Sequence, residues 1–85
     1  MTVLKNTYAD LMKGRKDYNV RFADMQRLLD NLGFSYRIKG DHFIYWRDDI
    51  PEIINIQPIR GMMKAYQVKQ IRLLFENYGI QEDEK

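Results

Sequence analysis

Two short segments, residues 34–39 and 42–47, are rich in aromatic and β-branched side chains and are separated only by Gly40 and Asp41. Such segments are typical of β-strands. A two-residue connection with Gly at its first position favours a tight hairpin turn. The turn length sets the register, because a slip of one residue would move every side chain of one strand to the other face. This hairpin constrains the fold more than any other feature of the chain.

The predicted register pairs Lys39 with His42 and places directly opposed residues on the same face of the sheet. One face is expected to receive the helices, and the other to point away from the core. The inward face holds Tyr36, Ile38, Phe43 and Tyr45, and the outward face holds Ser35, Arg37, Lys39, His42, Ile44 and Trp46.

The rest of the chain predicts three helices and one more strand. Apolar residues at helical spacing indicate helices over residues 3–13, from about 22 to 32, and from about 64 to 78. A third strand is predicted over 53–57, after a loose connection at 48–51, with Ile54 and Ile56 inward and Asn55 and Gln57 outward. The order α-α-β-β-β-α predicts an α+β fold with a three-stranded antiparallel sheet and helices on one face.

Length and composition set further bounds. The 85 residues are enough for one domain, 1–85, with an N-terminal helix at 3–13 and an acidic tail at 81–85. The chain has no Cys, which excludes disulfides and thiolate metal sites. One His, scattered acids and isolated glycines predict no metal site, no phosphate loop and no cofactor. With no long apolar run, we expect no membrane segment or signal peptide and a cytoplasmic protein.

Charge is distributed unevenly along a chain whose net charge is only +2. Residues 53–75 contain no acid but include Arg60, Lys64, Lys69 and Arg72. A base-only segment is what contact with phosphates requires. The alternative is an ordinary solvated basic face.

His42 is the only histidine, and the predicted hairpin places it on the outward face beside Arg37 and Lys39. An imidazole in that position is suited to exchange a proton with a ribose hydroxyl or with a leaving oxygen near pH 7. The alternative is a residue at the end of a strand that makes one ordinary hydrogen bond. Ile44 and Trp46 project from the same face, which favours a protein interface or, for Trp46, contact with RNA.

Three segments together resemble the HicA family, the toxin half of the HicA–HicB toxin–antitoxin systems. Residues 22–34 look like the family's opening helix with its Leu-Gly-Phe ending, and residues 37–45 look like its Gly-Ser-His turn and strand. Residues 54–57 and 64–72 resemble its last strand and the start of its closing helix. Asp41 and Phe43 differ from the Ser and the second His that the family commonly has at these positions.

The resemblance implies a double-stranded-RNA-binding-like fold and a metal-independent endoribonuclease that cleaves mRNA and arrests growth, with His42 as the catalytic residue. It also implies a HicB-type antitoxin that covers the active site, for which we expect contacts at His42, Ile44 and Trp46. The expected RNA contacts are Arg37, Lys39, Gly40, Lys64 and Lys69. The alternatives are a non-catalytic RNA-binding module and a protein-interaction domain of the same fold.

Overall fold

Six elements follow one another along the chain in the computed structural model, which describes residues 4–82. The predicted order α-α-β-β-β-α is confirmed, as is a three-stranded antiparallel sheet in the order β1-β2-β3. The predicted helix start at Val3 and the tail residues 83–85 lie outside the described residues. The elements are α1 Leu4–Lys13, α2 Phe22–Asn31, β1 Ser35–Lys39, β2 His42–Arg47, β3 Ile50–Ile56 and α3 Ala65–Tyr78.

Helix α2, predicted to end at about residue 32, ends at Asn31, and the Leu-Gly-Phe segment at 32–34 leads the chain directly into the sheet. Gly33 has a φ of 88°, and its N–H donates to the carbonyl of Asp30 at 3.1 Å. The N–H of Phe34 donates to the carbonyl of Leu29 at 3.0 Å, which completes a Schellman motif. Phe34 is buried, so the end of the helix is fixed by both hydrogen bonds and packing.

The register of the first hairpin is the predicted one at all five pairs, from Ser35 opposite Trp46 to Lys39 opposite His42. Gly40 has a φ of 64°, whereas Asp41 does not have a positive φ. A positive φ at the first central residue alone is the pattern of a type II′ turn, for which glycine is the favoured residue.

The bounds predicted for the third strand were wrong. The strand begins at Ile50, which pairs with Arg47, so the connection is only Asp48 and Asp49. Pro51 made this stretch resemble a loop, but β3 is an edge strand, where the missing N–H of a proline is tolerated. The pairing is irregular between Tyr45, which lies opposite Ile54, and Arg47, which lies opposite Ile50. This irregularity accommodates the additional residues of β3 between those two pairs.

The inward face of the sheet is covered unevenly. Tyr45, Ile54 and Ile56 are buried in the core as predicted. Tyr36 and Ile38 were also expected to be covered, and this was wrong, because they are 41% and 58% exposed. The core therefore lies over β2 and β3, and every residue of β1 remains exposed along the sheet edge.

The N-terminal helix contributes to the core. Leu11 is buried, the Tyr8 ring stacks on Phe75 with ring centroids 6.1 Å apart, and the Tyr8 hydroxyl donates to the carbonyl of Ile80 at 2.9 Å. These contacts connect α1 to the C-terminal end of α3 and to the residue that follows its cap, so the helix is an integral part of the packing.

Candidate nucleic-acid interface

His42 is the first residue of β2, next to the hairpin turn, and it lies on the outward face of the sheet, away from the core. Its side chain is 44% exposed, and Lys39 lies directly opposite on β1. The tight turn fixes this position. Gly40 allows the chain to reverse direction, and the register of the two strands then orients His42 outward. A hypothetical Cβ at Gly40 would meet no heavy atom within 4 Å, so the backbone beside His42 is open to an approaching molecule.

Both ring nitrogens of His42 lie near polar side chains. Nδ1 is 2.9 Å from Oδ1 of Asn55, and Nε2 is 3.7 Å from Oδ1 of Asp41. Asn55 is outward on β3, as predicted, but the sequence analysis did not identify it as a partner of His42. Only the β2–β3 register, which pairs Asn55 with Ile44, shows that it is diagonal to His42.

Asp41 is held at the turn by a short network that also reaches α3. The Gln57 amide donates to Oδ2 of Asp41 at 2.8 Å, and Lys64 Nζ donates to Oε1 of Gln57 at 3.4 Å. The hydrogen bond from Gln57 is the main cause of the lowered pKa of Asp41, and the nearby charges of His42 and Lys64 contribute. Lys64, the residue just before α3, therefore lies close to the hairpin, as an RNA contact beside His42 requires.

The other expected RNA contacts are distributed differently. Arg37 and Lys39 are exposed on β1, on the same face as His42. Lys69 is exposed on α3, on the helix face that it shares with Tyr66 and Leu73. Among the described residues, no hydrogen bond or ion pair connects Lys69 with the network around His42, so the structure does not bring it into that group.

Arg72 is not available for phosphate contact, which corrects its place in the predicted basic segment. Its guanidinium donates two hydrogen bonds of 3.0 Å to the carboxylate of Asp17 and a third of 3.0 Å to the carbonyl of Leu11. Asp17 is 5% exposed. Pairing with Asp17 raises the pKa of Arg72, and the pair connects α3 to the loop after α1.

The predicted antitoxin contacts Ile44 and Trp46 share the outward face with His42, and both are half-buried. They are less exposed than several other large apolar side chains, so the most exposed apolar surface lies elsewhere. Among the residues whose side chains the structure describes, the large apolar ones that are more than half exposed are Tyr18, Ile38, Ile53, Ile59, Tyr66 and Leu73.

Two further features of the described residues concern other kinds of site. No group of three or more His, Asp or Glu side chains among residues 4–82 is arranged to hold a metal ion, and no helix in that range is long and apolar enough to cross a membrane. A groove of about 380 Å³ lies between β3 and α3, where Asn55 and Gln67 are among its lining residues and His42 is not.

Comparison of the chain with models of protein families, with curated proteins and with solved structures finds no match.

Proposed function

We propose that this chain is a HicA-like toxin of double-stranded-RNA-binding-like fold, an endoribonuclease that cleaves mRNA without a metal and is neutralised by a HicB-type antitoxin. One observation carries the proposal: the only imidazole of the chain lies exposed at the mouth of a tight hairpin, with Lys39 opposite and Lys64 connected to the adjoining turn. The resemblance of residues 22–34, 37–45, 54–57 and 64–72 to the HicA motifs supports the same function.

The proposed reaction needs only groups that this surface presents. His42 removes the proton of a ribose 2′-hydroxyl, and the 2′-oxygen attacks the adjacent phosphorus as the bond to the 5′-oxygen breaks. The leaving 5′-oxygen takes a proton from water and protonated His42 returns its proton to the solvent, so that the products are a 2′,3′-cyclic phosphate and a 5′-hydroxyl. Arg37, Lys39 and Lys64 hold the phosphates, and a positioned acid or base contributes about 10²–10⁴-fold to such a step.

The first experiment compares purified wild type with His42→Ala on a labelled mRNA, in the presence of EDTA. We expect cleavage by the wild type, loss of cleavage in His42→Ala, and no cleavage at a site whose ribose is 2′-deoxy. Arg15→Ala, in the exposed loop after α1, is the control for an exposed substitution. Growth on induced expression should follow the same order, with arrest by the wild type and Arg15→Ala only. A wild type that leaves every transcript intact contradicts the proposal.

Asp41 favours a second candidate, an RNA-binding module that does not cleave. Its carboxylate lies 3.7 Å from Nε2 of His42, where a scissile phosphate would have to approach, and like charges repel. This candidate predicts that His42→Ala leaves both RNA affinity and the effect on growth unchanged. The comparison of His42→Ala with wild type therefore separates the two functions.

A further inference from the structure

The two ring nitrogens of His42 lie near different side chains, Nδ1 near Asn55 and Nε2 near Asp41. Asn55 presents its side-chain oxygen to Nδ1 at 2.9 Å, and an amide oxygen only accepts hydrogen bonds. The contact is therefore a hydrogen bond only if Nδ1 carries the proton. In the neutral ring, Nε2 is then the nitrogen with the free electron pair.

We propose that Asn55 is a positioning residue that holds the His42 ring as its Nδ1–H tautomer and leaves Nε2 to exchange a proton with RNA. The catalytic part of this inference rests on the proposed RNA cleavage, whereas the tautomer does not. Imidazole side chains in water favour the Nε2–H form, so the hydrogen bond to Asn55 reverses the ordinary preference. This reversal places the basic nitrogen on the side of the ring that faces Asp41, whose side chain is 73% exposed.

Asn55 is itself fixed from two sides, as a positioning residue requires. Its backbone lies within β3, and its carbonyl accepts a hydrogen bond of 2.9 Å from the amide of Gln67. Gln67 is 7% exposed in the packed face of α3. The third strand and the last helix therefore both fix the backbone of Asn55, and the Asn55 side chain in turn orients the ring of His42.

Among the residues that the structure describes, Oδ1 of Asn55 is the only side-chain atom within hydrogen-bond distance of Nδ1. Lys39, opposite on β1, is a donor, and so is Lys64. Gln57 donates its amide to Asp41, whose carboxylate lies on the Nε2 side. Asn55 is thus the residue to change in a test of the tautomer.

Because His42 is the only histidine, the nitrogen-15 spectrum of the imidazole reports on this ring alone. At about pH 9, where an ordinary imidazole is neutral, we expect the wild type to be mainly the Nδ1–H form. Asn55→Leu removes the acceptor and should shift the ring to mainly Nε2–H. Asn55→Asp keeps an acceptor and should retain Nδ1–H. Ile53→Thr is the control, because Ile53 is a 60% exposed residue of the same strand and takes no part in the network around His42.

The cleavage assay then tests whether the position of the ring matters for rate. We expect Asn55→Leu to lower kcat by about ten- to a hundredfold with little change in KM, since a misplaced group costs on this order, and Asn55→Asp to restore much of it. A wild-type ring in the Nε2–H form overturns the inference, even if Asn55→Leu does not fold. An unchanged tautomer and rate in a folded Asn55→Leu overturn it while leaving RNA cleavage in place. An Nδ1–H ring in a protein that cleaves no RNA refutes the proposed function and not the role of Asn55 in positioning.

Discussion

Asp41 is the residue whose charge most directly opposes RNA at the hairpin. Its pKa is lowered, chiefly by the hydrogen bond from Gln57, so it is ionised at neutral pH beside the exposed imidazole. Asp41→Asn keeps the shape and removes the charge. We expect RNA to bind about fivefold more tightly at low salt, the effect of one nearby charge in water. Fluorescence anisotropy with a labelled RNA measures this, and Asp48→Asn, in the next turn, is the matched control. Equal affinities in wild type and Asp41→Asn would show that phosphates do not approach this turn.

Tyr45 gives the core a dependence on alkaline pH. Burial raises the pKa of its hydroxyl to about 12, and the nearby side chain of Gln26 opposes this shift. The Gln26 side chain lies outside hydrogen-bond geometry, so the hydroxyl has no hydrogen-bond partner among the described residues. Because the pKa is raised in the folded protein, the folded state disfavours the ionised tyrosine, so the stability of the wild type is unaffected by this group below pH 10 and falls as pH rises toward 12. We expect Tyr45→Phe to lose less stability than wild type between these values. At neutral pH it should be as stable as wild type or slightly more, because it buries no unpaired hydroxyl.

Urea unfolding of both proteins at neutral pH and at several values above 10 checks this prediction. Tyr18→Phe is the control, since Tyr18 is 85% exposed. Parallel losses of stability in wild type and Tyr45→Phe would contradict the assignment of the alkaline dependence to Tyr45.

At the scale of elements, the sequence predicted correctly those features that depend on residues close together along the chain. The Gly40–Asp41 turn fixed the pairing of β1 with β2, and Gly33 correctly marked the end of α2, because each depends on residues close in sequence. The exposure of Tyr36 and Ile38 depends on how far the helices extend over the sheet, and no local pattern contains that information. The same holds for the site, where His42 was placed correctly but its partner Asn55 is 13 residues away.

A second tight turn, at Arg60 and Gly61, was missed for a related reason. Both residues have positive φ, 53° and 79°, and Ile59 and Met62 exchange two backbone hydrogen bonds across them. This is the pattern of a type I′ hairpin turn, for which Asn-Gly is the usual sequence. Arginine at the first position of the turn does not indicate a type I′ turn, so the sequence did not predict it. The turn also accepts the N–H of Phe22 at the carbonyl of Gly61, which fixes the start of α2.

This turn predicts opposite effects for two neighbouring substitutions. Arg60→Asn replaces a side chain that disfavours positive φ with one that tolerates it, and should raise the free energy of unfolding by about 0.5–1 kcal/mol. Gly61→Ala adds a Cβ at positive φ and should lower it by about 1 kcal/mol, although the Cβ itself would meet no heavy atom within 4 Å. Urea unfolding measures both. Changes of the same sign in the two variants would contradict backbone strain as their cause.

At the scale of the whole molecule, the Arg72–Asp17 pair connects the last helix to the loop after α1. The side chains are 17% and 6% exposed, respectively, so loss of either partner leaves a largely buried charge unpaired. We expect Arg72→Met to lower the free energy of unfolding by about 3 kcal/mol. Asp17→Asn should cost less because it retains an acceptor, and the double variant should be more stable than the sum of the two losses predicts. Additive losses in this double-mutant cycle would show that the pair does not couple the two segments.

The positions of Lys64 and Lys69 predict the path that RNA takes across the protein. Lys64 is connected through Gln57 to the turn beside His42, whereas Lys69 is the fifth residue of α3 and has no such connection among the described residues. An RNA that crosses the hairpin and the start of α3 meets Lys64 first. We expect both Lys64→Ala and Lys69→Ala to weaken binding with little loss of fold, and Lys64→Ala to have the larger effect. Because each phosphate contact releases a counterion, Lys64→Ala should also reduce the slope of log affinity against log salt by about one. Arg15→Ala, on the exposed loop after α1, should leave affinity and slope unchanged. If Lys69→Ala has the larger effect, the RNA follows the outer face of α3, and His42 is not on its path.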